Sequence, residues 1–201
     1  MVTEFAQFGS LQDYMKKYKD EPPYQKLRTK FMLDAANGIK YLHYNGILHR
    51  DIKPDNFLVV SLGEYVKVNC KLTDFGASRN INMLMTNLTF TKGIGTPRYM
   101  APEVINKEHY KTPADIYSFA ITMYEVFSWE NAFPKIQFKF PWMIAEFISE
   151  GQRPPKIEEI SDSQYKLIEH CWSQIPSERL SIDQIVVQLE NELLENDLND
   201  E

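Results

Sequence analysis

The chain has 201 residues, 43% hydrophobic and 25% charged, which suits one domain with a well-buried core. A net charge of −6 argues against a broad nucleic-acid or anionic-membrane surface as the main activity. Two cysteines, Cys70 and Cys171, are too few for a disulfide framework and read as core thiols of a reducing compartment.

The opening Met1-Val2-Thr3-Glu4 lacks the basic and apolar regions of a secretory leader, so an intracellular, cytoplasmic protein is expected. Ser10 is a candidate helix cap, with Asp13 near the positive end of the dipole and Leu11, Tyr14, Met15 and Tyr18 at helical spacing. Glu21-Pro22-Pro23 breaks that helix. A longer one is predicted from about Gln25, with Leu27, Phe31, Ala35, Ile39 and Leu42 on its apolar stripe and Asn45-Gly46 at its end. Phe57 to Val60 and Val66 to Leu72 read as two short strands around a turn at Gly63. Ala77 to Gly95 is polar and aperiodic, which predicts a long surface loop.

Beyond Pro113 the pattern is helical. Ala114 to Ser128 predicts a helix buried on most faces. Its apolar run, Ile116 to Phe127, is too short for a bilayer and is interrupted by Ser118, Thr122 and Glu125. Trp142 to Glu150 predicts another helix, stopped by Gly151. Asp162 to Ser173 is a third, turning Tyr165, Ile168 and Trp172 inward. Ser181-Ile182-Asp183-Gln184 is a capping-box signature, backed by Ile185, Leu189 and Leu193. The acidic tail from Glu190 is expected to fray. The fold class is mainly α with a small β element.

The chemistry is concentrated in three motifs. His49-Arg50-Asp51-Ile52-Lys53-Pro54-Asp55-Asn56 is followed by Asp74-Phe75-Gly76 and then by Ala101-Pro102-Glu103. Phosphoryl transfer needs orientation and charge neutralisation more than covalent help. Asp51 can accept or orient a hydroxyl proton, and Lys53 can balance charge on the moving phosphoryl group. Asn56 and Asp74 supply the oxygen ligands that a hard cation prefers. Each residue alone has a bland alternative, such as a capped turn. Their order and context make coincidence improbable.

On these motifs the chain resembles a eukaryotic protein kinase over nearly its whole length, as the large C-terminal lobe of that fold. The resemblance implies a kinase domain over residues 1–194, with the hinge at 1–9, the catalytic loop at 49–56, the activation segment at 74–103 and an acidic tail at 195–201. It implies ATP and magnesium, with manganese as a substitute. Backbone at Glu4 and Ala6 would meet adenine, Thr3 would occupy the gatekeeper position, Ser10 and Asp13 would lie near ribose, and Leu58 would pack under the base. Asp51, Lys53 and Asn56 would be catalytic, with Asn56 and Asp74 holding the metal. His49 and Phe75 resemble part of a regulatory hydrophobic spine. Asp115 resembles the anchor of the catalytic loop, and Arg179 the ion-pair partner of Glu103.

Lys53 and Gly95-Thr96 resemble serine/threonine enzymes, whereas Cys171-Trp172 and the hinge resemble tyrosine kinases. That mixture is typical of the tyrosine-kinase-like group, whose members usually phosphorylate serine or threonine on proteins. Arg50 implies regulation by a phosphate placed on the activation loop by an upstream kinase, with Thr86, Thr89 and Thr91 as candidate sites and Thr96 lining the substrate site.

No Gly-x-Gly-x-x-Gly stretch occurs in the sequence, and the small N-terminal lobe with its phosphate-clamping lysine is expected to be absent. Little transfer is therefore expected from these residues alone, and apolar surface near the hinge and Phe75 should be open to water. A non-catalytic interaction module is the alternative. A small-molecule kinase of related fold ranks last, because it would not be expected to carry the segment from Gly95 to Glu103.

Overall fold

The computed structural model describes residues 4–63, 66–80, 97–108 and 110–199. Thr3, Thr86, Thr89, Thr91 and Thr96 lie outside the described residues, as does most of the predicted loop from Ala77 to Gly95.

Helix α1 spans Leu11–Lys17 and is capped as its sequence predicts, the Ser10 side chain accepting from the Asp13 N–H at 3.1 Å. Helix α2 spans Gln25–Tyr44 and buries Leu27, Phe31, Ala35, Ile39 and Leu42 on one stripe. Two small antiparallel pairs follow. Strand β1, Ile47–Leu48, pairs with β4, Arg79–Asn80, and β2, Phe57–Val59, pairs with β3, Cys70–Leu72.

The second predicted strand is shorter than Val66 to Leu72 because its backbone donors are diverted. The Asn69 and Cys70 N–H groups donate to the Asp34 carboxylate of α2, at 2.6 and 3.2 Å. The Asn69 carbonyl instead accepts from Val60 and Ser61, which closes the ladder at that point. The β1–β4 pair was not visible in the sequence, since two-residue strands have no period to read.

Helix α3 is Pro102–Ile105 and α4 is Thr112–Ser128. Every residue of α4 from Ala114 to Ser128 is buried, as its apolar run predicts. Most of its polar side chains have partners, the buried Tyr117 hydroxyl being an exception among the described residues. The Ser118 hydroxyl donates to the Tyr99 carbonyl at 2.7 Å. The Glu125 carboxylate accepts from the Tyr99 hydroxyl at 2.6 Å and the Ala132 N–H at 3.1 Å, with Arg98 also in reach. Burial pushes the Glu125 carboxyl above its ordinary value, against the pull of Arg98 and Tyr99. At the other end of α4, Arg28 donates to the Phe127 carbonyl at 2.8 Å, and the indole of Trp129 donates to the Tyr18 carbonyl at 2.9 Å. Helix α2 thus satisfies a carbonyl at the C-terminal end of the buried helix, and Trp129, which caps that helix, in turn satisfies the carbonyl that ends α1.

Helices α5, Pro141–Ser149, and α6, Asp162–Cys171, match their predicted positions within two residues. Gly151 follows α5 in the left-handed region, φ +81°, where a side chain would be strained. Helix α6 opens with a full capping box, Ser161 to Gln164. Ile168 and Trp172 are buried, and Tyr165 is half-buried with its hydroxyl on the Pro154 carbonyl. Helix α7, Ile182–Asn199, begins at the predicted Ser181–Gln184 box. It continues to Asn199, through the stretch expected to fray from Glu190 and into the predicted tail. Lys40 of α2 pairs with Asp183 of α7 at 2.9 Å, joining the two helices beside their apolar contact. Both cysteines are fully buried core thiols, and burial raises both well above the ordinary thiol value. Among the described residues no helix is long and apolar enough to cross a membrane.

Glu103 of α3 and Arg179 form a buried bidentate pair, both contacts at 2.7 Å. Arg179 also donates to the carbonyls of Pro113 and Ser173, so one guanidinium ties α3, the start of α4 and the segment after α6. Arg179→Ala leaves the Glu103 carboxylate buried and unpaired, and is expected to cost about 3–5 kcal/mol in urea denaturation. A loss below about 1 kcal/mol, the worth of an exposed pair, would rule out that role.

Candidate active site

The site is built on a bend that a buried carboxylate stabilises. The backbone leaves β1 at Leu48 and turns through Arg50, whose φ of 72° is unusual for a residue with a side chain. The Asp115 carboxylate, fully buried near the start of α4, accepts from the N–H groups of His49 at 3.0 Å and Arg50 at 2.9 Å. It also contacts His43 Nε2 at 2.9 Å and accepts from the Tyr110 hydroxyl at 2.7 Å. Burial alone would raise the Asp115 carboxyl. The His43 contact, the Arg50 N–H and the Tyr110 hydroxyl outweigh it and hold the group below its ordinary value of 3.8.

His49 then connects two motifs. Its Nε2 lies 2.9 Å from the Thr73 carbonyl, which can only accept, so Nε2 carries the proton. Nδ1 is left to accept from the Asp51 N–H at 3.3 Å. The His49 ring meets Phe75 edge-on, with centroids 5.6 Å apart. The two rings are in contact, and the Phe75 ring remains half-exposed.

Asp51, Lys53 and Asn56 converge. Asp51 Oδ2 is held by Lys53 Nζ at 2.7 Å and Asn56 Nδ2 at 2.9 Å. Asn56 Nδ2 also donates to the Asp51 carbonyl at 2.6 Å. Two oxygens face that nitrogen, so the amide orientation is unambiguous, and the Asn56 amide oxygen is free of protein donors among the described residues. Asp51 Oδ1 is likewise unengaged among the described residues, and the side chain is about one-fifth exposed. One carboxylate oxygen is locked and the other is available to a hydroxyl.

The short helical turn Pro54–Asn56 sets this geometry, and the Asn56 carbonyl accepts from the Thr73 N–H at 2.9 Å. That bond and the His49 bond hold Thr73 from two sides and so place Asp74. Asp74 is left-handed, φ 59°, and one of its oxygens accepts from the Gly76 N–H at 3.2 Å. A Cβ on Gly76 would lie only 3.2 Å from that same oxygen, which explains the glycine.

The predicted nucleotide-side residues form a second group. The segment before α1 pairs with β2: Val59 N–H donates to the Gly9 carbonyl at 3.0 Å, and Ser10 bridges to Leu58. Ser10 and Asp13 are hydrogen-bonded to each other at 2.7 Å as part of the α1 cap. Ala6 accepts from the Gly9 N–H through its carbonyl, while its own N–H is unengaged among the described residues. Glu4 pairs with Lys71 of β3. Phe5 beside it is 86% exposed.

Arg50 projects from the strained bend over the Tyr110 ring, 5.7 Å from its centroid, and its buried Nε has no hydrogen-bond partner among the described residues. Sequence reasoning missed His43 and Tyr110, which complete the Asp115 cluster. His43 lies 72 residues from Asp115, and Tyr110, only five residues before it, belongs to none of the three motifs.

Residues 1–189 match the Protein kinase domain family, and the chain belongs to that family. It is 32% identical over 191 residues to the RGS domain-containing serine/threonine-protein kinase A of Dictyostelium discoideum, covering 94% of this chain and 16% of that protein. It is 39% identical over 165 residues to the probable serine/threonine-protein kinase gdt9 of the same organism, covering 82% of this chain and 10% of that one. Over 202 residues it is 35% identical to the serine/threonine-protein kinase STY17 of Arabidopsis thaliana, covering 100% of this chain and 33% of that protein. The chain thus spans between a tenth and a third of the length of these relatives.

The depressed Asp115 carboxyl has a definite pH signature. Its folded value lies below its unfolded one, so the ionised group adds stability above about pH 4, and that contribution is lost as pH falls through the folded value. Asp115→Asn is expected to cost about 3 kcal/mol at pH 7, since one amide oxygen replaces a carboxylate with four partners. The gap to the parent should narrow in urea titrations taken from pH 7 down to about 3.5. A gap of constant size would mean that the charge of Asp115 does not stabilise the bend.

Proposed function

We propose that this chain is the large lobe of a serine/threonine protein kinase of the tyrosine-kinase-like group, transferring the γ-phosphoryl group of ATP to protein hydroxyls. The observation that carries the reading is the locked and free division of Asp51. Lys53 and Asn56 fix one carboxylate oxygen, and the other can accept the proton of an incoming serine or threonine hydroxyl as its oxygen attacks phosphorus. Lys53, already beside that carboxylate, is positioned to offset negative charge on the transferred group.

The donor set fits magnesium or manganese: the unengaged amide oxygen of Asn56 and the carboxylate of Asp74 are hard oxygen ligands. A bound divalent ion would supply neutralisation of the phosphate oxygens. The N–H of Ala6, the backbone at Glu4 and the Leu58 side chain suit the adenine face, with Ser10, Asp13 and Thr3 on the same side of the reading. Arg50, with an unmatched buried nitrogen, suits a phosphate placed at Thr86, Thr89 or Thr91 by an upstream kinase. Thr96 would line the protein-substrate side.

The sequence carries no Gly-x-Gly-x-x-Gly loop, and in this reading the phosphate clamp and the roof over the nucleotide are not supplied by these residues. The 201 residues by themselves are then expected to transfer little. The test is magnesium-dependent phosphorylation of serine- and threonine-containing proteins by the protein purified from its own cells. Asp51→Asn should lower kcat by about 100- to 10,000-fold with ATP binding retained. Undiminished transfer by that variant would remove Asp51 from the reaction. Robust transfer by the 201 residues alone would overturn the assignment of the missing clamp.

A further inference from the structure

Three exposed lysines of this acidic chain border one groove. An open groove of about 630 Å³ lies between α1, the turn at residues 97–99 and the loop leading into α5. Lys16 borders it from α1, and Lys135 and Lys139 border it from the loop. Among the described residues its lining holds a single carboxylate, Asp55. Arg98 also borders the groove, but its guanidinium is engaged by Glu125 and Asn131. Lys16, Lys135 and Lys139 are exposed, and among the described residues none has an ion-pair or hydrogen-bond partner. A neighbouring cavity shares Lys16 and Lys135 and adds Lys19, together with the carboxylates of Glu125 and Glu130.

The position of the groove gives these lysines a meaning. Asp55 belongs to the turn Pro54–Asn56, next to Asn56, so the groove opens beside the Asp51 cluster. One exposed lysine contributes little to binding a carboxylate. Several uncompensated cations along one concave surface reinforce one another and set which partner enters. Phe138 and Ile144, both buried, form the apolar floor, a surface suited to side chains between charged positions. A nucleic-acid strand suits the groove less well. Its charge recurs at every nucleotide, so one phosphate would meet Asp55, whereas a polypeptide can place a neutral residue there.

We propose, resting on the protein-kinase reading of the site, that this groove selects substrate segments with Asp or Glu side chains flanking the phosphorylated hydroxyl. Lys16, Lys135 and Lys139 are the specificity-determining residues.

The test uses the protein purified from its own cells and a fluorescein-labelled peptide, a serine flanked on both sides by glutamates. A matched peptide carries glutamine at those positions. Fluorescence anisotropy should show the glutamate peptide binding about tenfold more tightly at low salt, with the advantage shrinking as salt rises. Reversing Lys16, Lys135 and Lys139 together to Glu should abolish the preference, while Lys166→Glu on α6, outside the groove, should leave it intact. All four lysines are exposed, and circular dichroism melting checks that the variants fold. Equal binding of the two peptides, or a preference that survives the triple reversal, overturns the proposal. So does tighter binding of a single-stranded oligonucleotide of matched charge. Selective binding without phosphoryl transfer would support the groove and count against the kinase reading, so the two fail separately.

Discussion

The buried carboxylate of Asp115 is the constraint on which the site depends. A charged group with no solvent is tolerable only when its acceptor positions are filled, and here two of its partners are the backbone N–H groups of His49 and Arg50. The group that satisfies Asp115 is therefore the bend that launches the catalytic loop. The positive φ at Arg50 costs energy that the bonds to Asp115 offset. Because α4 is enclosed on all sides, the carboxylate cannot move to relax that bend, and the position of Asp51 follows from the packing of a helix.

The same helix organises the rest of the molecule by the same means. Ser118 and Glu125 hold the backbone and side chain of Tyr99, and Glu125 also engages Arg98. Asp115, Ser118 and Glu125 of α4 each reach out to a loop beside the candidate site. His49 extends the chain of dependence: fixed by Asp115 at its own N–H, it uses its ring to hold the Thr73 carbonyl, one residue before Asp74. Two short motifs separated by more than twenty residues are thereby set relative to one another through a single imidazole. By contrast Phe75 and Phe5 stay open to solvent as exposed apolar surface.

Much of the fold was legible from periodicity and capping chemistry. Ser10 capped the helix assigned to it, the stripe of α2 was buried as its spacing required, and Ser181 with Gln184 formed the box expected of them. These are local relations within about four residues, where backbone geometry leaves few choices. Departures arose where a distant group intervened. The strand expected from Val66 was shortened by Asp34, which reached from α2 to take two of its donors. The tail beyond Glu190 continued as helix, although its acidic composition argued for fraying. In the site, Asp51, Lys53 and Asn56 could be named from their spacing. That Asn56 presents its amine to Asp51, leaving its oxygen outward, required the folded turn.

By itself, the sequence determined which residues could carry the chemistry and which segments would be helical, because both depend on short-range spacing and side-chain type. Tertiary structure decided how those residues are held. His43, Tyr110 and the two backbone donors come together on Asp115 from separate parts of the chain. Lys16 and Lys135 reach one groove from helices and loops more than a hundred residues apart. Contacts of that separation leave no periodic trace in the chain. Those on Asp115 are selected by its burial in α4, where an unpaired carboxylate would be too costly to keep.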